Sequence, residues 1–152
     1  MRVILMIFAM LLVLTAGSFG SSEKQCTQEE AYQAENDTDH LKSWEDVYRS
    51  FKRYSHCDDG GIAEGYSDKI SLLLAHDWGT IVKLNKLCAS DKSFERFIYR
   101  HLDMTIPADI WAIMVNNAVK KCPPDAKAMC KLMLKANEAI ELEIKQERLK
   151  KD

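Results

Sequence analysis

The feature that most restricts the fold is an apolar stripe that recurs at the helical period. Its first occurrence consists of five large residues spaced i, i+3, i+4, i+7 and i+10: Trp44, Val47, Tyr48, Phe51 and Tyr54. Residues at this spacing lie on one face of an α-helix, and that face must be buried. Ser43 precedes the stripe and suits the N-cap position. The pattern predicts an amphipathic helix that begins after Ser43.

Similar stripes follow along the rest of the chain, beginning near residues 62, 81, 94, 110 and 129. Few segments alternate apolar and polar residues, as exposed strands do. The 152 residues include only 6 Gly and 3 Pro, which also disfavours a turn-rich β-sandwich. The sequence therefore predicts an all-α fold, a single bundle of five or six short helices around one core, clamped by disulfides.

The first residues have the pattern of a cleavable export signal. Arg2 supplies an early positive charge, an apolar run extends from Val3 to Leu14, and small residues follow at Ala16 and Ser18. The run is shorter than the ~20 residues that a membrane-spanning helix needs. We therefore predict a signal peptide over 1–18, no stable membrane anchor, and a periplasmic or secreted mature protein.

Two polar segments flank a helical domain that we assign to 43–137. Residues 19–42 contain no Val, Ile or Met, and their composition predicts a flexible polar leader. Residues 138–152 read as a charged helical tail with acids early and bases late, an order that suits the helix dipole. A solvated helix explains this tail, and a helix that binds a partner is the alternative.

All five cysteines follow the signal, and exported cysteines usually pair. A bridge between Cys122 and Cys130 would clamp a helical corner at Pro123-Pro124. Cys57 could compete for either partner, and Cys26, in the polar leader, is the first candidate for the free thiol. Spacing alone leaves the connectivity open. No Cys-x-x-Cys motif or paired histidines indicate a metal, and no motif indicates a cofactor.

The charge balance excludes two classes of partner. With 21 basic and 23 acidic side chains the net charge is −2. A nucleic-acid-binding domain depends on an excess of Lys and Arg, and so does a protein held at a membrane surface by basic residues. The sequence predicts a protein partner and no nucleic acid.

The densest polar cluster lies around the start of the second predicted helix. Its four carboxylates fall within eleven residues: Asp58, Asp59, Glu64 and Asp68. They could bind a cation or a basic partner, or act as a paired acid and base. They could also serve only as helix caps and solvated charges. With Tyr66 between them, and with His101 and Asp103 from a second cluster, they form the candidate partner-binding surface.

Gly65 lies inside the same predicted helix. Glycine in a helix interior costs roughly 1 kcal/mol relative to alanine. A residue kept at such a cost predicts close approach of another backbone, from within the fold or from a partner. Close packing between two helices of this chain is the ordinary cause.

Familiar catalytic templates are absent from the sequence. It contains no Gly-x-Ser-x-Gly, His-Glu-x-x-His, Walker loop or dinucleotide fingerprint. An oxidising compartment disfavours a cysteine nucleophile. The enzymatic alternative is a cell-wall-acting hydrolase that uses Glu64 with Asp58, Asp59 or His101.

Several segments resemble small exported helical proteins of Gram-negative bacteria. They are Tyr54–Gly60, Ile62–Asp68, Leu72–Trp78, Phe97–Asp103 and Cys122–Pro124. In size, export signal and helical content the chain also resembles the periplasmic immunity proteins that neutralise type VI secretion amidases. That resemblance covers about 43–136 and implies an all-α fold, often dimeric, that blocks an effector's active-site groove. Cys26, Cys88 and the long charged tail depart from the pattern.

From these observations we predict a periplasmic binding protein without catalytic activity. Its role would be that of an immunity or inhibitor protein, its partner a secreted amidase effector, and homodimerisation stays open. The alternatives are the hydrolase above and a purely structural exported domain.

Overall fold

The computed structural model describes residues 24–150, so the predicted signal peptide over 1–18 lies outside the described residues. Seven α-helices and no strands make up this part of the chain. In chain order they are α1 (Gln28–Thr38), α2 (Trp44–Tyr54), α3 (Gly60–His76), α4 (Ile81–Ser90), α5 (Lys92–Arg100), α6 (Ala108–Lys120) and α7 (Lys127–Leu149). The all-α prediction is confirmed, and the helix count exceeds the predicted five or six.

The additional helix is α1, which lies within the segment predicted to be a flexible leader. The prediction is wrong over Gln28–Thr38 for two physical reasons. Thr27 and Glu30 form a reciprocal capping box at the start of the helix. Ala34 and Thr38 are buried against the rest of the protein. Composition alone could not show that this polar helix docks through two small residues, with the help of a disulfide from Cys26 to Cys57 and an ion pair between Asp37 and Arg53.

The core forms where α3 packs against α1, α2 and α6, while α4 packs against α2, α5 and α7. At its centre the aromatic rings of Phe51 and Phe97 lie 4.9 Å apart, and those of Tyr66 and Phe97 lie 5.0 Å apart. Such tilted and edge-on contacts add stabilisation beyond the burial of area. The residues of the sequence-predicted stripes on α2, α3 and α5 thus meet in one cluster.

Three tryptophans donate hydrogen bonds that connect different parts of the helical bundle. The indole N–H of Trp44 donates to Thr80 Oγ1 at 2.8 Å, and that of Trp78 donates to the carbonyl of Lys121 at 2.9 Å. Trp111 on α6 donates to Asn137 Oδ1 on α7 at 2.8 Å. Each bond joins residues more than 25 positions apart, so the tryptophans fix how the helices are arranged.

Gly65 allows α1 and α3 to pack closely, although what it meets is the side chain of Thr38 and not the backbone that the sequence predicted. A Cβ atom at this position would lie 2.7 Å from Thr38 Oγ1 and 3.0 Å from Thr38 Cβ. These distances are shorter than van der Waals contact. The close approach comes from within the fold.

We expect Gly65→Ala to lower the free energy of unfolding, because overpacking of about 1–3 kcal/mol outweighs a gain of about 1 kcal/mol in helix propensity. Gly61→Ala is the matched control, since a Cβ there meets nothing within 4 Å. Urea unfolding followed by circular dichroism measures both. Gly61→Ala should be neutral or stabilising, and a Gly65→Ala protein as stable as that control would contradict the packing argument.

Two disulfides clamp the bundle. Cys122 pairs with Cys130, one of the pairings that the sequence left open, and Cys26 pairs with Cys57 across 31 residues. The assignment of Cys26 as the free thiol is wrong, because α1 brings the start of the described chain beside the turn before α3. Cys88 is the free cysteine, and its burial raises the pKa of the thiol to about 12. The thiol is therefore protonated and shielded.

The last helix extends beyond the body of the bundle. Residues 138–149 of α7 are mostly exposed, which agrees with the predicted charged helical tail. We call this segment the α7 overhang. No helix among residues 24–150 combines the length and the apolar character that crossing a membrane requires.

Candidate binding cleft

The site is built around Asp58, which lies in the turn between α2 and α3. Its side chain is only 2% exposed although aspartate is normally a surface residue. The guanidinium of Arg100 donates to Asp58 Oδ2, and His101 Nε2 lies 3.2 Å from the same oxygen. A buried carboxylate needs such partners, and both contacts go to Oδ2, whereas Oδ1 is buried without a hydrogen-bond partner among the described residues.

His101 ends α5 and connects Asp58 to α3. Its Nδ1 atom lies 3.0 Å from Ser67 Oγ, and its ring packs edge-on against Phe97 at 4.4 Å. The side chain is 3% exposed. Asp58, His101 and Ser67 therefore form a continuous buried hydrogen-bonded chain that joins α5, α3 and the turn before α3.

Asp103 fixes the loop between α5 and α6. Its Oδ1 atom accepts hydrogen bonds from the backbone N–H of Thr105 at 2.8 Å and from Thr105 Oγ1 at 2.5 Å. Its Oδ2 atom accepts from Ser67 Oγ at 3.4 Å. The loop is thus tied both to itself and to α3.

A small cleft lies between α3 and this loop. Its volume is about 210 Å³. Its wall consists of Glu64, Ser67, Asp68, Ser71, Thr105, Ile106 and Pro107. Glu64 and Asp68 are exposed, whereas Ser67 and Ser71 are buried. The cleft therefore has two carboxylates at its rim and hydroxyl groups on its inner wall.

The charge of the rim is only partly balanced within the described chain. Lys69 Nζ lies 3.3 Å from Asp68 Oδ2, and the Lys69 side chain is half-buried whereas that of Asp68 is exposed. Glu64 has neither an ion pair nor a side-chain hydrogen bond among residues 24–150. The cleft therefore offers at least one free carboxylate to a cation.

The structure brings only some of the seven predicted surface residues together at the cleft. Glu64 and Asp68 line it, and Asp103 lies directly behind Ser67. Asp59 is exposed and caps α3 by accepting from the N–H of Gly60 at 2.8 Å. Asp59 thus performs the capping role that was its alternative interpretation.

Three of the predicted surface residues are buried instead. Asp58 and His101 support the cleft from below. Tyr66 is fully buried, and its hydroxyl lies 2.7 Å from Ser50 Oγ. Burial raises the pKa of Tyr66 to about 12, so it stays protonated. Tyr66 could not be a surface residue, because it shares the apolar face of α3 with Ile62 and Ile70 at i±4.

Ser67, Ser71 and Thr105 belong to the site although the sequence did not single them out. On α3 the polar residues recur at i, i+3, i+4 and i+7: Glu64, Ser67, Asp68 and Ser71. That spacing places them on one face, opposite the apolar stripe. The helical spacing of these polar residues could therefore have identified Ser67 and Ser71 from the sequence. No pattern in the sequence points to Thr105.

The hydrogen-bonded residues Ser67, His101 and Asp58 are of the same types, and in the same order, as those of a hydrolytic triad. Ser67, however, lies within α3, where backbone N–H groups bond to carbonyls four residues earlier. Donors for a developing oxyanion are therefore not supplied by the neighbouring backbone. Asp103 beside the hydroxyl also adds negative charge where an oxyanion would form. The arrangement favours positioning of the loop over nucleophilic attack.

A second polar group lies near the first disulfide. His56 Nε2 is 3.3 Å from Glu30 Oε1, and Cys57 is adjacent. The hydrogen bond from Lys24, followed by that from the N–H of Thr27, lowers the pKa of Glu30 to about 2. Glutamate, histidine and cysteine are typical metal ligands, but the Cys57 sulfur is bonded to Cys26. The group lies where α1 packs against the turn that follows α2, and the buried Nε2 atom of His56 makes no hydrogen bond within the described residues.

The fold and the site define a disulfide-clamped helical bundle with a preformed acidic cleft. No family model, curated protein or solved structure matches the chain. Function is therefore inferred from the geometry of the cleft and from the residues that form it.

Proposed function

We propose that this is a binding protein without catalytic activity, whose cleft accepts a basic side chain from a protein partner. The observation that carries the proposal is the 210 Å³ cleft with Glu64 and Asp68 at its rim. Carboxylates accept strong charge-assisted hydrogen bonds from lysine and arginine. Ser67 and Ser71 line the inner wall, but their hydroxyls already bond within the protein, to His101 and Asp103 and to the carbonyl of Asp68. The two carboxylates therefore supply the binding.

The size of the cleft also supports a side chain as its occupant. Pockets for small molecules usually enclose about 300–1,000 Å³. A cleft of 210 Å³ is too small for a glycan chain and suits a single extended side chain. Because Asp103, Ser67 and His101 already fix its walls, binding costs little reorganisation.

An exported immunity role is the particular form of this function that we propose. The two disulfides fit an oxidising compartment such as the periplasm. The resemblance to immunity proteins of type VI secretion amidases suggests a secreted cell-wall amidase as the partner. An acidic cleft would steer a partner with a basic surface into the complex.

Peptide titration tests the cleft itself. We expect Ac-Gly-Arg-Gly-amide or Ac-Gly-Lys-Gly-amide to shift the NMR amide signals of Glu64, Ser67 and Thr105, with an affinity of roughly 1 mM. The double variant Glu64→Gln/Asp68→Asn should bind about tenfold more weakly, because the charge that strengthens these hydrogen bonds is lost.

The matched control is Glu45→Gln/Asp125→Asn, which removes the same charge from exposed residues elsewhere. It should bind like the wild type, and Ac-Gly-Gln-Gly-amide should leave the spectrum unchanged. Equal shifts with the glutamine peptide, or equal losses in both double variants, would refute a basic-group cleft.

Assays with an amidase separate the proposed role from its alternatives. Stoichiometric inhibition of a purified secreted amidase, lost in Glu64→Gln/Asp68→Asn, would support the immunity function. The hydrolase alternative requires Glu64 to act with Asp58, Asp59 or His101, and of these four side chains only that of Glu64 lines the cleft. Clearing of a peptidoglycan suspension by the purified protein alone would favour that alternative.

A further inference from the structure

The α7 overhang exposes large apolar side chains that the bundle does not cover. Trp111 contacts Asn137, and beyond this point residues 138–149 are largely solvent-exposed. Leu142 is 59% exposed and Leu149 is 68% exposed. These leucines are seven residues apart and therefore lie on the same side of the helix.

The two leucines belong to a longer face of α7. Consecutive residues of this face are separated alternately by three and by four positions: Lys135, Glu138, Leu142, Lys145 and Leu149. This is the spacing of the contact positions in a coiled coil. We call this set the α7 seam. It spans roughly 21 Å at 1.5 Å per residue.

We propose that the α7 seam binds a second copy of this chain as an antiparallel helix pair with its twofold axis at Leu142. Leu142 then packs against Leu142 of the second copy. Glu138 lies one residue, about 1.5 Å along the helix, from the position directly opposite Lys145 of the second copy, a gap that these long side chains can span. The reverse pair forms on the other side of the axis. Lys135 lies opposite Leu149. This register pairs Leu142 with itself and Lys135 with Leu149, and it brings Glu138 and Lys145 within reach of each other, so every contact occurs twice, as a twofold interface requires.

Charge selects the antiparallel orientation. A parallel pair would place Glu138 against Glu138 and Lys145 against Lys145, and both contacts are repulsive. Among residues 24–150, neither Glu138 nor Lys145 forms an ion pair within the chain. Both charges are therefore available to a second copy.

A groove on the bundle continues the same surface. It encloses about 350 Å³ beside Tyr99, Leu132 and Lys135, and its walls are mostly apolar. Lys135 Nζ lies 5.6 Å from the centre of the Tyr99 ring. Because Lys135 is opposite Leu149 of the second copy, that leucine reaches this groove. Only a short helix face is covered, so the dimer is a weak one.

Sedimentation equilibrium of the purified protein over about 10 µM to 1 mM tests the proposal, since weak complexes dissociate in this range. The weight-average mass should rise toward twice the monomer mass. Leu142→Gln, at an exposed position, should keep the protein monomeric throughout. A wild type that stays monomeric at every concentration would overturn the proposal.

Charge exchange tests the register and the orientation. Glu138→Lys and Lys145→Glu should each abolish the dimer, and the double variant Glu138→Lys/Lys145→Glu should restore it. Glu147→Lys makes the same charge change off the α7 seam and should dimerise like the wild type. If the dimer persists in Glu138→Lys, or is lost equally in Glu147→Lys, the α7 seam is not the interface. Glu64→Gln/Asp68→Asn leaves this surface intact, so failure here is distinguishable from failure of the acidic cleft.

Discussion

Replacing Cys26 and Cys57 together by serine should lower the free energy of unfolding by about 3–4 kcal/mol. The bridge closes a segment of 31 residues, and its loss lets the unfolded chain sample many more conformations. In the native state the bridge also holds the start of α1 against the turn that follows α2. Urea unfolding measures the loss, and hydrogen exchange should show faster opening of α1.

Cys122→Ser/Cys130→Ser is the matched control, because that bridge spans only 8 residues. The chain-entropy relation makes the longer bridge worth about 1.2 kcal/mol more than the shorter one. If removal of the shorter bridge costs as much or more, loop closure does not explain the difference. Both double variants avoid leaving an unpaired thiol that could form a new bridge.

Asp58→Ala should destabilise the protein by about 3 kcal/mol, the lower end of the range for a broken buried ion pair. His101 is 3% exposed and would lose the acceptor for its Nε2 atom. Arg100 is 61% exposed and can turn to solvent, which limits the cost. The same change should loosen the loop after α5, since His101 also holds Ser67.

Asp59→Ala provides a neighbouring comparison in the same urea experiment. Asp59 is exposed and only caps α3, so its loss should cost about 1 kcal/mol. The two residues are adjacent and chemically identical, and they differ in burial. Equal effects of the two substitutions would show that the buried network contributes little to stability.

The sequence predicted those parts of the fold that repeat at a fixed spacing. The stripes on α2, α3 and α5 became the aromatic core, and the expectation of close packing at Gly65 agrees with the contact to Thr38. The helix α1 was missed because its docking depends on Ala34 and Thr38, small residues without an apolar stripe. Cys26 was assigned wrongly for the same reason, since only α1 explains how it reaches Cys57.

The candidate site was predicted in part. Glu64 and Asp68 could be placed on one helix face from their spacing alone. The burial of Asp58 could not, because it depends on α5 bringing Arg100 and His101 from more than 40 positions away. Adjacent aspartates in the sequence therefore had different roles, and long-range contacts separated them.

Because of where the tryptophans lie, their intrinsic fluorescence can be used to follow unfolding. Trp44, Trp78 and Trp111 each mark a different junction between helices. Variants that keep a single indole would emit from one junction at a time, without any attached dye. Comparing their fluorescence transitions in denaturant would show whether the bundle comes apart in one step or loses its last helix first.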